Sequence, residues 1–141
     1  MNNSTSPRGL HVPESMARPL PAAGGVVLAG SSDTGGRFTL IRTTVPAGDV
    51  TPLHRHTVMD ESFYVLRGSY TVTCGDDIFE ASAGDFVHLP RGLPHKYVAG
   101  PDGGEKLILG APGGLEIFFD DWEAGMDFDA LSRKHQIEFL E

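Results

Sequence analysis

The sequence predicts an all-β domain, and three observations favour that class. The 18 glycines and 10 prolines make up about a fifth of the 141 residues, which is typical of many short elements joined by turns. From residue 26 to 119, short apolar or alternating runs follow one another at the close spacing of a β-sandwich or barrel. No long helical pattern interrupts them, which argues against a parallel α/β sheet.

The runs define ten predicted strands, which are separated by turn residues such as Gly35-Gly36, Pro46-Ala47-Gly48 and Gly100 to Gly104. The strands are 26–29, 37–45, 50–56, 61–67, 70–74, 77–81, 85–89, 95–99, 105–111 and 115–119. Gly110 to Gly114 is the predicted connection before the last strand.

The chain ends differently, because residues 127–136 predict a short helix on the outside of the barrel. Phe128, Leu131 and His135 have helical spacing, and acidic Asp129 comes early, as the helix dipole favours. Residues 26–141 are therefore expected to form one domain of ordinary size.

Residues 1–25 are interpreted as a flexible N-terminal arm. They contain four prolines and have no sustained period of 2 or 3.6. The alternative is a segment that adds a strand to a neighbouring subunit or folds over a cavity mouth.

Charge and cysteine content exclude several classes of function. The formal net charge is −8 and no run of Lys or Arg is present, so we expect no nucleic-acid or membrane partner. A neutral or weakly charged small molecule fits better. With a single Cys, no secretory signal pattern and no apolar run of membrane-spanning length, we expect a cytoplasmic protein.

Four residues predict a metal site. Side chains alternate along a strand, so His54 and His56 project to the same side. Glu61 opens the next strand, after a turn that lets its carboxylate lie beside the imidazoles. His95 follows the rigid turn from Pro90 to Pro94 and begins another strand.

Three imidazoles with one carboxylate are suitable ligands for one divalent transition metal. The set suits Fe, Ni, Co, Mn, Zn or Cu and does not suit an all-oxygen Ca or Mg site. If the metal is six-coordinate, four protein ligands leave two positions for water, dioxygen or a chelating substrate.

The spacing of these residues resembles the two signature motifs of the cupin superfamily. It reads Gly48, five residues, His54, one, His56, four, Glu61, six, Gly68, then fifteen residues, then Gly84, five, Pro90, one, Gly92, two, His95. The second motif departs at its end, where many cupins have Asn and this chain has Ala99, which is not a ligand position. Residues 50–119 and the tail from Phe128 to Leu140 are also similar to single-domain cupins of the quercetin dioxygenase-like group.

This resemblance implies a double-stranded β-helix, or jelly-roll barrel, of two antiparallel sheets with a metal at its centre, often in a homodimer. It leaves the reaction open, because cupins include enzymes of many classes as well as binding proteins.

Three further residues are candidates for substrate binding. Phe63 and Tyr97 share strand parity with the ligands, so we expect them to form an aromatic cavity wall. His88 shares the face of Phe86 and is the third candidate. Tyr64 has the opposite parity and is expected outside the barrel or at a dimer interface. The predicted core residues are Phe63, Val65, Phe86, Val87, Tyr97, Leu107, Leu109, Phe118 and Phe119.

Three functions are compatible with these observations. The leading hypothesis is a quercetinase-like, metal-dependent dioxygenase that acts on an aromatic or enolisable substrate, with Glu61 as the catalytic proton acceptor. The second is a redox-silent isomerase, cyclase or dehydratase that uses the same metal and Glu61. The third is a non-catalytic ligand-binding module.

Overall fold

The structure, a computed structural model, describes residues 8–141. In chain order its strands are β1 (Arg18–Leu20), β2 (Gly25–Ala29), β3 (Thr39–Val45), β4 (His54–His56), β5 (Asp60–Cys74), β6 (Asp77–Ser82), β7 (Phe86–Leu89), β8 (His95–Ala111) and β9 (Ile137–Phe139). The helices α1 (Leu115–Glu123) and α2 (Phe128–His135) lie between β8 and β9. The predicted all-β class is confirmed.

The strands form one antiparallel network in the order β1-β2-β3-β8-β4-β9, and β5 pairs with β8 and carries β6 and β7 on its other side. Each of the two long strands, β5 and β8, combines two of the predicted strands. β5 and β8 each continue through a predicted turn, and their pairing shifts register near Gly68. A Cβ on Gly68 would lie 2.1 Å from the carbonyl oxygen of Gly103, so only glycine allows this close approach.

The inner face of the network encloses the core, and alternation along β5 follows the prediction. Phe63 and Val65 are buried, whereas Tyr64 is 43% exposed. Phe86, however, is 66% exposed and Leu109 is 38% exposed, so their prediction as core residues is wrong. Both strands have an outer face, which a short apolar run does not reveal. The predicted homodimer stays a prediction.

The predicted strand 115–119 is wrong, because these residues begin helix α1. Leu115, Phe118, Phe119 and Trp122 have the spacing of one helix face, and Leu115 and Phe118 are buried. A short apolar run is ambiguous between a strand and a buried helix. The predicted C-terminal helix is confirmed as α2, which begins after Asp127, whose side chain accepts a hydrogen bond from the Ala130 amide.

Part of the predicted N-terminal arm belongs to the sheet. Arg18–Leu20 pairs with β2, and Leu20 is only 1% exposed. The predicted boundary at residue 25 therefore differs from the structure, in which the sheet begins earlier. The part of the arm at residues 1–7 lies outside the described residues. Among residues 8–141, neither helix has the length and apolar character needed to cross a membrane.

Candidate metal centre and its cavity

The four predicted ligands come together from three strands. β4 contributes His54 and His56, the second residue of β5 is Glu61, and the first residue of β8 is His95. One potential ligand atom from each lies within 4.8 Å of the other three. We refer to these four residues as the His/Glu cluster.

Distances within the His/Glu cluster are compatible with a shared metal. Glu61 Oε1 lies 3.1 Å from His56 Nε2 and 3.5 Å from His95 Nε2. In an octahedral site, a metal about 2.1 Å from each ligand atom leaves neighbouring ligand atoms about 3 Å apart and opposite ones about 4.2 Å apart. The observed separations lie close to these values.

The ring nitrogens of His54 and His95 are arranged so that a metal can bind them. The ring of His54 has its Nδ1 2.8 Å from the carbonyl oxygen of Pro52. A proton on Nδ1 satisfies that contact and leaves the Nε2 lone pair free for a metal. Both ring nitrogens of His95 are buried and have no hydrogen-bond partner among residues 8–141. Since a buried polar atom without a partner is costly, the donor set fits a bound cation.

The ionisation of the His/Glu cluster also fits a metal. Burial lowers the pKa of His54 to about 4, with a further contribution from His95, so His54 is neutral at physiological pH. Burial by itself raises the pKa of Glu61, but the imidazoles of His56 and His95 close to its carboxylate outweigh this effect and hold the pKa well below its ordinary value. The neutral imidazole of His54 and the ionised carboxylate of Glu61 are the forms that bind metals.

The loops around the His/Glu cluster are tied together. The Gly92 amide donates a hydrogen bond of 2.7 Å to the His56 carbonyl, so the turn before β8 is joined to β4. β9 pairs with the other edge of β4, with His54 opposite Phe139. The last residues of the chain therefore help to position two of the ligands.

The His/Glu cluster opens into a cavity of about 380 Å³. Phe63 and Tyr97 line this cavity, as their strand parity predicts, although contact with a substrate stays a prediction. His88 is exposed on the outer face, where its Nδ1 lies 2.8 Å from Ser62 Oγ. The structure therefore contradicts a role for His88 inside the cavity, because neighbouring positions on β7 face opposite sides of the sheet.

A second aromatic wall of the cavity was not predicted as such. Helix α1 and strand β9 supply its side chains, which are Phe118, Phe119, Trp122 and Phe139. The helical spacing within α1 was the available signal. β9 gives none, since it is only three residues long and its partner β4 is distant in sequence.

A buried cation in the cavity was also missed. Lys106 lies on β8, lines the cavity and is 1% exposed. It follows Glu105 at the start of the predicted strand 105–111, directly after a predicted turn, where a charged side chain is expected to be exposed. Strand parity with Ile108 was the only signal that Lys106 faces inward.

Known proteins share this architecture. Residues 41–109, which include the whole His/Glu cluster, match the family model described as Cupin domain. Quercetin 2,3-dioxygenase of Bacillus subtilis is 29% identical over 93 residues, which are 66% of this chain and 28% of that enzyme. The matched segment thus covers less than a third of that relative.

Two solved structures agree on the fold. KdgF from Halomonas sp. has a TM-score of 0.59 at 21% identity, and the match covers 67% of this chain and 84% of KdgF. A Klebsiella pneumoniae protein described as containing a double-stranded β-helix domain has a TM-score of 0.57 at 18% identity, covering 77% of this chain and 93% of that protein. The predicted double-stranded β-helix is therefore confirmed.

Proposed function

We propose that this chain, whose residues 41–109 match the Cupin domain model, is a metal-dependent dioxygenase of an aromatic or enolisable small molecule. The observation that supports this proposal most is that the His/Glu cluster opens into a cavity with aromatic walls. The similarity to a quercetin 2,3-dioxygenase supports the same reaction class. Residues 54, 56, 61 and 95 are the proposed ligands of one divalent transition metal.

A metal bound to the cluster supplies a Lewis acid, which favours ionisation of an enol or phenol group of the substrate. Glu61 is the proposed acceptor of the released proton. Both of its contacts with histidines use Oε1, so Oε2 is available for that proton. The lowered pKa keeps the carboxylate ionised, and the ionised form is the one that can accept a proton.

The aromatic walls contribute orientation and exclusion of water. Phe63 and Tyr97 lie on one side of the cavity, and α1 places Phe118 and Trp122 on its lining. A flat enolate packed between such walls exposes its electron-rich carbon to dioxygen, while its charge is kept from bulk solvent. Both oxygen atoms then enter the products, dioxygen is reduced and the substrate carbon is oxidised, so no external reductant is needed.

The test is turnover under labelled dioxygen. The purified protein is loaded in turn with Fe(II), Ni(II), Mn(II) or Co(II) and supplied with quercetin or with phenylpyruvate, an enolisable acid. We expect dioxygen uptake with at least one pair and the label in the product. Glu61→Gln should lose turnover more than it loses bound metal, whereas Glu80→Gln, a change on exposed β6, should retain both.

Two other outcomes would contradict the proposed reaction. Conversion at an unchanged rate without dioxygen, and with no label in the product, indicates the redox-silent isomerase, cyclase or dehydratase. Tight binding without any conversion indicates a ligand-binding module.

A further inference from the structure

Lys106 is a charged side chain in the interior of the barrel. It lies on β8 opposite Thr43 of β3 and Val65 of β5, and it is 1% exposed. Lysine is almost never fully buried unless its charge is paired. The Nζ atom of Lys106 has no hydrogen-bond partner among residues 8–141.

Aromatic rings surround the ammonium group. Lys106 Nζ lies 4.0 Å from the ring centre of Tyr97, 4.3 Å from that of Tyr70 and 5.6 Å from that of Phe63. These cation–π contacts stabilise the charge. They do not use the N–H groups as hydrogen-bond donors to oxygen, so the ammonium retains capacity for an acceptor.

A second unpartnered donor lies on the same wall. Thr43 is 2% exposed, and its Oγ1 is buried without a hydrogen-bond partner in the described part of the chain. Residues directly opposite on antiparallel strands have Cβ atoms about 5 Å apart, on the same face. Thr43 and Lys106 both line the cavity that contains the His/Glu cluster, so a single ligand group can contact both.

The charges near Lys106 leave it positive. Burial lowers its pKa to about 8, while the carboxylates of Glu61 and Asp49 oppose this effect, so most molecules carry the ammonium form at pH 7. Asp49 is engaged by the Tyr97 hydroxyl, which donates a hydrogen bond of 3.2 Å. Glu61 faces its histidines. The cavity therefore presents a cation that forms no ion pair with any residue of the described range 8–141.

We propose that Lys106 and Thr43 bind a carboxylate of the substrate, which makes the substrate a small aromatic or enolisable carboxylic acid. This inference rests on the proposed function for the reacting oxygen, and it revises the expectation of a neutral or weakly charged ligand. Lys106, Thr43 and the His/Glu cluster line the same cavity, so one small acid can contact the cluster and the two wall residues together.

The experiment measures binding by metal-free protein, so that it does not depend on turnover. Protein treated with a chelator is titrated calorimetrically with phenylpyruvate, with the uncharged amide phenylpyruvamide, and with acetate. We expect phenylpyruvate to bind at least about tenfold more tightly than the amide, because only the acid pairs with the ammonium.

Two cavity variants and one control assign the effect to the proposed residues. Lys106→Met removes the charge at similar length and should abolish the preference for the acid, and Thr43→Val should weaken acid binding by several-fold. Lys134→Met, a change on the exposed side of α2, should leave binding unchanged. Circular dichroism verifies that each variant is folded, and Thr43→Val tests the site even if Lys106→Met does not fold.

Equal binding of acid and amide would overturn the proposal, as would unchanged acid binding by folded Lys106→Met or Thr43→Val. Failure of both phenylpyruvate and acetate to bind would also overturn it. Failure of the proposed reaction is distinguishable, since it appears as acid binding without dioxygen uptake in metal-loaded protein.

Discussion

The Asp60 carboxylate accepts hydrogen bonds from both the backbone amide and the guanidinium of Arg91, at 3.0 to 3.2 Å. Asp60 directly precedes Glu61, and Arg91 lies in the turn that leads to His95. Hydrogen bonds from Arg91 lower the pKa of Asp60 to about 2, so the pair stays ionised above about pH 3. This interaction ties together two chain segments that each supply one residue of the His/Glu cluster.

Loss of this pair should weaken metal binding. Arg91→Ala leaves the four proposed ligands in place but frees the turn before His95, and groups that orient metal ligands affect affinity by about 10- to 100-fold. Because Arg91 is exposed, we expect the lower end, about tenfold, measured by competition with a chelating dye. Arg67→Ala, which removes another exposed ion pair away from the cluster, is the matched control. Equal affinities of the two variants would contradict this role.

Metal binding should stabilise the folded protein. The cluster combines residues from β4, β5 and β8 and exists only in the folded chain, so a metal at 100 times its Kd adds about 2.7 kcal/mol to the free energy of unfolding. We expect addition of Ni(II) or Mn(II) to raise the melting temperature and EDTA to reverse it. His56→Ala should reduce the increase, whereas His11→Ala, a change outside the cluster, should not. An identical increase in both variants would place the metal elsewhere.

The buried cation predicts an unusual dependence of stability on pH. The pKa of Lys106 falls from 10.5 in the unfolded chain to about 8 in the folded protein, mainly through burial. Between these values the unfolded chain binds more protons, so stability due to this residue rises with pH. A difference of one unit in pKa corresponds to about 1.4 kcal/mol. The free energy of unfolding should therefore gain about 3 kcal/mol between pH 8 and 10.5.

Urea unfolding of wild type and Lys106→Met at several pH values measures this gain. The difference in free energy of unfolding between the two should change in favour of wild type as the pH rises. A difference that is constant from pH 7 to 10 would show that Lys106 has an ordinary pKa in the folded protein.

A buried carboxylate should anchor the helix that forms the second aromatic wall. Glu116 of α1 accepts hydrogen bonds from the backbone amide of Ser31 at 2.7 Å, from its hydroxyl at 2.8 Å and from the Thr39 hydroxyl. Glu116→Ala leaves these donors without a partner, and each buried donor left unsatisfied costs about 1 to 3 kcal/mol. We expect a loss of about 3 kcal/mol in the free energy of unfolding, measured with urea.

The control for this prediction is Glu123→Ala, at the exposed end of the same helix, which should change stability by less than about 0.5 kcal/mol. The fluorescence of Trp122, the single tryptophan, reports whether α1 also moves away from the cavity. An unchanged stability of Glu116→Ala would contradict the anchoring role.

The sequence by itself determined the all-β class and identified the four proposed metal ligands. The reason is that alternation along a strand is local, so His54 and His56 must share a face, and that the Pro-Gly turn marks where the strand of His95 begins. The same alternation correctly directed Phe63 and Tyr97 into the cavity. Alternation also predicted that Tyr64 faces outward.

Only the tertiary structure decided what surrounds those ligands. The helical start at Leu115 and the pairing of β9 with β4 depend on packing between segments far apart in sequence. The exposed position of His88 depends on which face of β7 is covered. Lys106 is the clearest case, since the sequence predicts that a lysine next to a glutamate is exposed to solvent. Its burial results from Tyr70 and Tyr97, which approach it only when the barrel closes.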